Sequence, residues 1–259
     1  MSTCTKQKVE HLFYSRYRDG MTVMLQPSLL DGLVDTAQAP DDDTSAACGT
    51  NLSTSDLHVG DEPGARLGPL RGTVRRRGLT RGAWLDHRPG WVSGSDELFL
   101  RLVETVPWHE ERRPMYDRVV DVPRLLKFYD SGEPLPDPLL EQARDQLNAH
   151  YLPELGEPFV TAGCCFYRDG RDSVAWHGDT IGRSRTEDTM VAIVSFGAPR
   201  PLLLRQKGGG GPTLRYNLGH GDLVVMGGSC QRTWEHAIPK TAKGVGPRIS
   251  IQFRPRGVR

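Results

Sequence analysis

The chain is 259 residues long and carries a formal net charge of +1. That balance excludes recognition of a polyanion by global charge, so any nucleic-acid contact must rest on local clusters. No apolar run is long enough to span a membrane, the first ten residues hold no signal-peptide core, and the five cysteines form no C-x-x-C pair; the sequence reads as a cytoplasmic, reduced, monomeric protein.

Asp41-Asp42-Asp43, Asn51-Leu52-Ser53-Thr54-Ser55 and Asp61-Glu62-Pro63-Gly64 are polar, turn-rich and without periodicity. Such a composition cannot bury enough apolar surface to offset the entropy of ordering. Residues 1–68 are therefore expected to be a disordered tail, and 69–259 the folded domain. Order is expected to begin near Leu70, with strands over Gly72–Arg77 and Ala83–Asp86. Arg75-Arg76-Arg77 reads as a solvated strand face, or more sharply as a set of phosphate contacts. Ser95 is expected to cap a helix, with Asp96 and Glu97 in its first turn and Leu98, Leu100, Leu102 and Val103 following.

Met115-Tyr116 and Val119-Val120 suggest a strand that continues through Pro123–Tyr129 into the turn Asp130–Pro134. Leu139, Leu140, Ala143, Leu147 and Tyr151 fall at helical spacing, so Asp137–Tyr151 predicts an amphipathic helix. Phe159–Tyr167, Met190–Phe196 and Pro201–Arg205 predict buried strands, and Lys207–Gly211 a flexible hairpin. His220 sits at a turn before the strand Asp222–Met226 and reads as structural.

The chemistry gathers near the end. His177-Gly178-Asp179 and the distant His236 supply two imidazoles and one carboxylate, the donor set that holds non-haem Fe(II) with positions left open. On a strand, residues two apart point to the same side, so His177 and Asp179 can grip one ion. The last strand alternates strictly. Arg248, Ser250, Gln252 and Arg254 share one face, and Ile249, Ile251 and Phe253 share the other. Guanidinium forks bind carboxylates bidentately, and a dicarboxylate such as 2-oxoglutarate lying along this strand would satisfy both arginines.

In this order and spacing, His177-x-Asp179, His236 and Arg248-x₅-Arg254 resemble the AlkB family of Fe(II)/2-oxoglutarate dioxygenases. Val122-Pro123-Arg124, Phe128-Tyr129, Tyr167-Arg168-Asp169, Asp172–His177, Ser195–Ala198 and Gly221–Met226 extend the likeness over roughly residues 70–256. The resemblance implies an α+β, mainly β fold: a double-stranded β-helix, or jelly-roll barrel, with an N-terminal nucleotide-recognition lid and flanking helices. It implies Fe(II) on His177, Asp179 and His236. It implies 2-oxoglutarate held by Arg248, Arg254, Tyr167 and Ser250, with Arg254 near the metal-side carboxylate or bracing Asp179. Phe128 or Tyr129 would stack on the target base, with Arg124, Trp176 and Arg183 as further substrate contacts.

The implied reaction is oxidative dealkylation of N-alkylated bases in DNA or RNA, turning 2-oxoglutarate and O₂ into succinate, CO₂ and an aldehyde. A protein or small-molecule hydroxylase on the same barrel, and a catalytically idle nucleic-acid-binding protein of this fold, are the alternatives. The chain departs from the family twice. The family usually has asparagine two residues before the tyrosine; here Cys165 stands there, and reads as a buried structural thiol. Beyond Asp179 the family often carries acidic residues that contact the base; here the stretch is Thr180-Ile181-Gly182-Arg183-Ser184-Arg185, so base preference does not carry over.

Overall fold

The computed structural model describes residues 64–258, apart from 116, 117 and 210. The expected tail lies outside the described residues as far as residue 63. Where it enters them, pairing starts earlier than the sequence suggests. Strand β1 (Arg66–Leu67) is antiparallel to β4 (Val92–Ser93), and the Gly68 carbonyl accepts from Trp91 Nε1 and Gln146 Nε2.

Eight consecutive strands build the frame: β7 (Phe159–Tyr167), β8 (Val174–His177), β9 (Val191–Gly197), β10 (Arg200–Gln206), β11 (Leu214–Leu218), β12 (Asp222–Gly228), β13 (Trp234–Ile238) and β14 (Arg248–Pro255). They divide between two sheets. One contains the order β12-β9-β14-β7, the other is β11-β10-β13-β8, and every pairing is antiparallel. A chain that crosses repeatedly between two antiparallel sheets is a jelly roll, as the resemblance implies. The larger sheet continues past β12 through β3 (Ala83–Arg88) and β2 (Arg75–Gly78), and past β7 through the hairpin β6 (Arg118–Tyr129) and β5 (His109–Met115).

Alternation sends one set of side chains into the space between the sheets, where Leu85, Val191, Ile193, Leu204, Val224 and Met226 form an apolar cluster. The opposite face of the larger sheet is also covered. Ile249, Ile251 and Phe253 are wholly buried there, each contributing about 1.5–3 kcal/mol of apolar transfer. Helix α1 (Asp96–Thr105) packs on β9 and α2 (Pro138–Leu155) on β7. The α2 residues buried are Leu140, Ala143, Leu147 and Tyr151, a subset of the periodic positions. Asp137 caps this helix by accepting from the Leu139 amide.

Two local expectations are corrected. Ser95 occupies the cap position of α1, but its hydroxyl makes no cap bond; it meets His220 Nε2 at 2.6 Å instead. The Gly197 amide donates to His220 Nδ1, so Nε2 carries the proton and His220 is structural, as read. Arg76, from the basic triplet, is taken up by Asp86 and Glu154 and lies over the Trp84 ring at 3.6 Å. It is committed to the fold rather than to phosphates.

Candidate active site

Strands β8 and β13 pair so that His177 lies directly opposite His236. Their ring centroids are 4.2 Å apart. Asp179 follows two residues after His177 and places Oδ1 3.5 Å from His177 Nε2. Donor atoms of the three residues all lie within 4.8 Å of one another. The step between the first two ligands needs glycine, since a Cβ on Gly178 would sit 2.1 Å from the Gln231 carbonyl oxygen.

The protonation states suit a divalent cation. His177 Nδ1 is 2.8 Å from the Ala175 carbonyl, which can only accept; the proton is on Nδ1 and the Nε2 lone pair is available. Burial, with His177 alongside, depresses His236 to a pKa of about 3, so it is a neutral imidazole. Burial alone would raise the Asp179 carboxyl, but Arg254 and the two histidines outweigh it and hold the group well below the usual carboxylate range. Two neutral imidazoles and a fixed carboxylate fit Fe(II).

Supports for Asp179 come from three directions. Arg254 donates from Nε and Nη2 to Asp179 Oδ2, both at 2.8 Å. The guanidinium lies across Gly163, where a Cβ would meet Nη1 at 2.7 Å. Of the two positions open to Arg254, bracing Asp179 is the one adopted. Gln231 Oε1 accepts from the Asp179 amide, and Ser184 Oγ donates to its carbonyl. Neither Gln231 nor Ser184 was singled out by the sequence. Both lie far from any motif, and no periodic pattern marks them.

The polar face of β14 opens onto a cleft of roughly 470 Å³, solvent mouth included, which the three metal-ligand candidates also line. Arg248 is 1% exposed. Its Nε donates to Ser195 Oγ at 2.8 Å, its guanidinium lies 5.1 Å from the Tyr167 ring centroid, and its Nη1 is buried with no partner. Arg124 donates from Nη1 to the Ser173 carbonyl, while its Nε is likewise buried and unmatched. An unsatisfied buried donor is costly, and two in one cleft point to an oxygen-rich, anionic ligand. Ser250 is buried and accepts from Gln252 Nε2 at 2.5 Å. Gln252, on the predicted face but not singled out, also lines the cleft.

The aromatic pair separates. Phe128 is opposite Gly163 on β7, sharing the face of Cys165 and Tyr167, both cleft residues. Tyr129 is opposite Ala162 and points the other way; it is buried, with Lys127 Nζ 4.5 Å from its ring centre. Tyr129 therefore cannot stack on a base in the cleft. Trp176 alternates with His177 and sits under Arg205 on the outer face, 4.2 Å from ring centre to guanidinium. Arg183 is spent on Glu157, Glu187 and the Arg256 carbonyl. Both are corrections to the expected substrate contacts. Cys165, read as a structural thiol, is half-buried in the cleft wall with Sγ 3.6 Å from Gln252 Oε1.

The profile of the 2OG-Fe(II) oxygenase superfamily matches residues 104–254. The chain is 31% identical over 198 residues to the cattle (Bos taurus) protein named alpha-ketoglutarate-dependent dioxygenase alkB homolog 3, covering 65% of this chain and 66% of that protein. It is 29% identical over 182 residues to human (Homo sapiens) DNA oxidative demethylase ALKBH2, covering 62% and 68% respectively. It thus spans just under two thirds of the length of the first of these relatives. Among solved structures it is similar to that of OsALKBH1, with a TM-score of 0.49 and 13% identity over 70% of this chain and 100% of that one.

Proposed function

The chain belongs to the 2OG-Fe(II) oxygenase superfamily, and on that premise we propose that it removes N-alkyl groups oxidatively from bases of DNA. The observation that carries this reading is one cleft holding the His177–Asp179–His236 donor set beside the unmatched guanidinium nitrogen of Arg248. The names of the relatives supply the substrate class: dioxygenases of the AlkB type, and a DNA demethylase among them.

His177, Asp179 and His236 would hold the iron. The chemistry that a bound iron and 2-oxoglutarate supply is O₂ activation, ending in succinate, CO₂ and an alkyl carbon released as an aldehyde. Arg248 Nη1 receives one carboxylate of the co-substrate, in a position that Ser195 fixes through Nε. Tyr167 packs beside that guanidinium and closes the wall. Arg254 keeps Asp179 ionised and oriented, and Gln231 and Ser184 fix the backbone that carries it. Ile193, Leu202, Leu218 and Ile238 keep water from the deep end of the cleft. Phe128, on the lid strand β6, supplies an aromatic face for an extruded base.

The experiment is succinate formation from 2-oxoglutarate with Fe(II) and ascorbate, in the presence of methylated or unmodified single-stranded oligonucleotide. Succinate that rises only with the methylated strand supports the proposal. Equal succinate with both strands would keep an oxygenase but move the substrate to a protein or small molecule. An iron-loaded protein that makes none would overturn the catalytic reading.

A further inference from the structure

Charges in the cleft are unevenly matched. Arg124, Arg248 and Arg254 bring three guanidiniums to its lining, and among the described residues Asp179 is the one lining carboxylate. Arg254 and Asp179 pair with each other. Three positive charges against one negative leave a net +2, carried by Arg124 and Arg248. A divalent iron and a doubly negative 2-oxoglutarate cancel, so loading the site does not remove this excess.

The neighbouring loop does not supply the missing negative charge. Ile181, two residues past Asp179, is an apolar side chain 62% exposed. Glu187 is paired with Arg183, and Asp188 with Arg232. Glu111 is the weakest of the groups acting on Arg124. The Arg124 Nε–H is buried with no acceptor, and a guanidinium offers donors only.

We infer that the cleft selects N-alkyl bases that are neutral and carry a carbonyl oxygen beside the alkylated nitrogen, with Arg124 as the selecting residue; this rests on the base-dealkylation reading above. Alkylation at guanine N1 or thymine N3 replaces an imino proton, leaving a neutral ring with a carbonyl on the adjacent carbon. Alkylation at adenine N1 or cytosine N3 replaces no proton. It leaves a cation whose adjacent exocyclic group is an N–H donor. The first kind presents an acceptor to Arg124. The second brings positive charge and a donor towards a donor-only cation, in a site where charges are only partly screened.

The test is equilibrium binding, read by fluorescence anisotropy, of single-stranded oligonucleotides. Each carries one N1-methylguanine, N3-methylthymine, N1-methyladenine or N3-methylcytosine, beside an unmodified strand. The protein is loaded with Mn(II) and 2-oxoglutarate without oxygen, so that no turnover intervenes. The neutral lesions should bind at least about tenfold tighter than the cationic ones. Arg124→Lys should keep most of that ratio, Arg124→Gln should shrink it, and Arg124→Glu should invert it. Equal binding of the two classes, or preference for the cations, would overturn the inference. A ratio that survives Arg124→Gln unchanged would overturn the role given to Arg124, and this comparison stands even if Arg124→Glu does not fold. Lesions that bind no better than the unmodified strand would instead overturn the base-dealkylation reading.

Discussion

Arg254 and Asp179 are joined by two bonds of 2.8 Å to a single carboxylate oxygen, Oδ2, leaving Oδ1 turned towards His177. The pair is mostly buried, with side-chain exposures of 12% and 6%. The arrangement keeps one oxygen for the protein and one for a metal. Arg254→Ala strands a buried carboxylate, which costs about 3–5 kcal/mol of stability. The weakened orientation should lower Fe(II) affinity about 10- to 100-fold. Anaerobic Fe(II) titration of the folded variant checks this; unchanged affinity would mean that Asp179 needs no brace.

Arg248 presents its unmatched Nη1 to the cleft while Ser195 holds Nε. Arg248→Gln should raise the 2-oxoglutarate concentration needed for half-maximal succinate formation by roughly one to two orders of magnitude, the scale of a charged hydrogen bond. Affinity for the methylated strand, measured separately, should stay within about twofold. An unchanged 2-oxoglutarate requirement would place the co-substrate elsewhere.

His236 is buried and its pKa falls from 6.5 to about 3. Between those values the unfolded chain takes up a proton that the folded chain refuses. The stability from this residue is therefore complete above about pH 6.5 and is lost as pH falls towards 3. The thermal midpoint of metal-free protein should decline with falling pH over this window, and the decline should be shallower in His236→Asn. Parallel curves for the two proteins would contradict the assignment.

Phe128 and Tyr129 are adjacent in sequence but lie on opposite faces of β6. Phe128→Ala should weaken binding of a methylated strand by about 1–3 kcal/mol, the range for loss of one base stack, with Fe(II) affinity unaltered. Tyr129→Phe should leave strand binding within about twofold. If both variants behaved alike, the separation of faces would have no functional meaning.

These contrasts also mark what the sequence could reveal. The period-two pattern from Arg248 to Arg254 placed a whole row of residues in the cleft, because strand alternation is a local rule. The H-x-D step located two ligands for the same reason, and the helix bearing Leu140, Ala143, Leu147 and Tyr151 was legible from its spacing. Gln231 was not. It touches Asp179 across 52 residues of chain, and only the packing of α3 (Cys230–Thr233) against the barrel brings it there. Trp176 and Arg183 failed as substrate contacts because nearness in sequence to His177 and Asp179 says nothing about which way a side chain points or which partners have claimed it. Arg205 and Glu157 are those partners, and both come from distant strands or loops.

Loss of the methyl group itself is the most direct test of the central claim. A single-stranded oligonucleotide carrying one N-methylated base is incubated with the protein, Fe(II), 2-oxoglutarate, ascorbate and oxygen, and its intact mass is followed beside a reaction with Asp179→Ala. The account predicts that the strand falls to the mass of its unmethylated form with wild-type protein and keeps its methyl group with the variant. A strand that stays methylated with both proteins, while wild-type protein still turns 2-oxoglutarate into succinate, would contradict it.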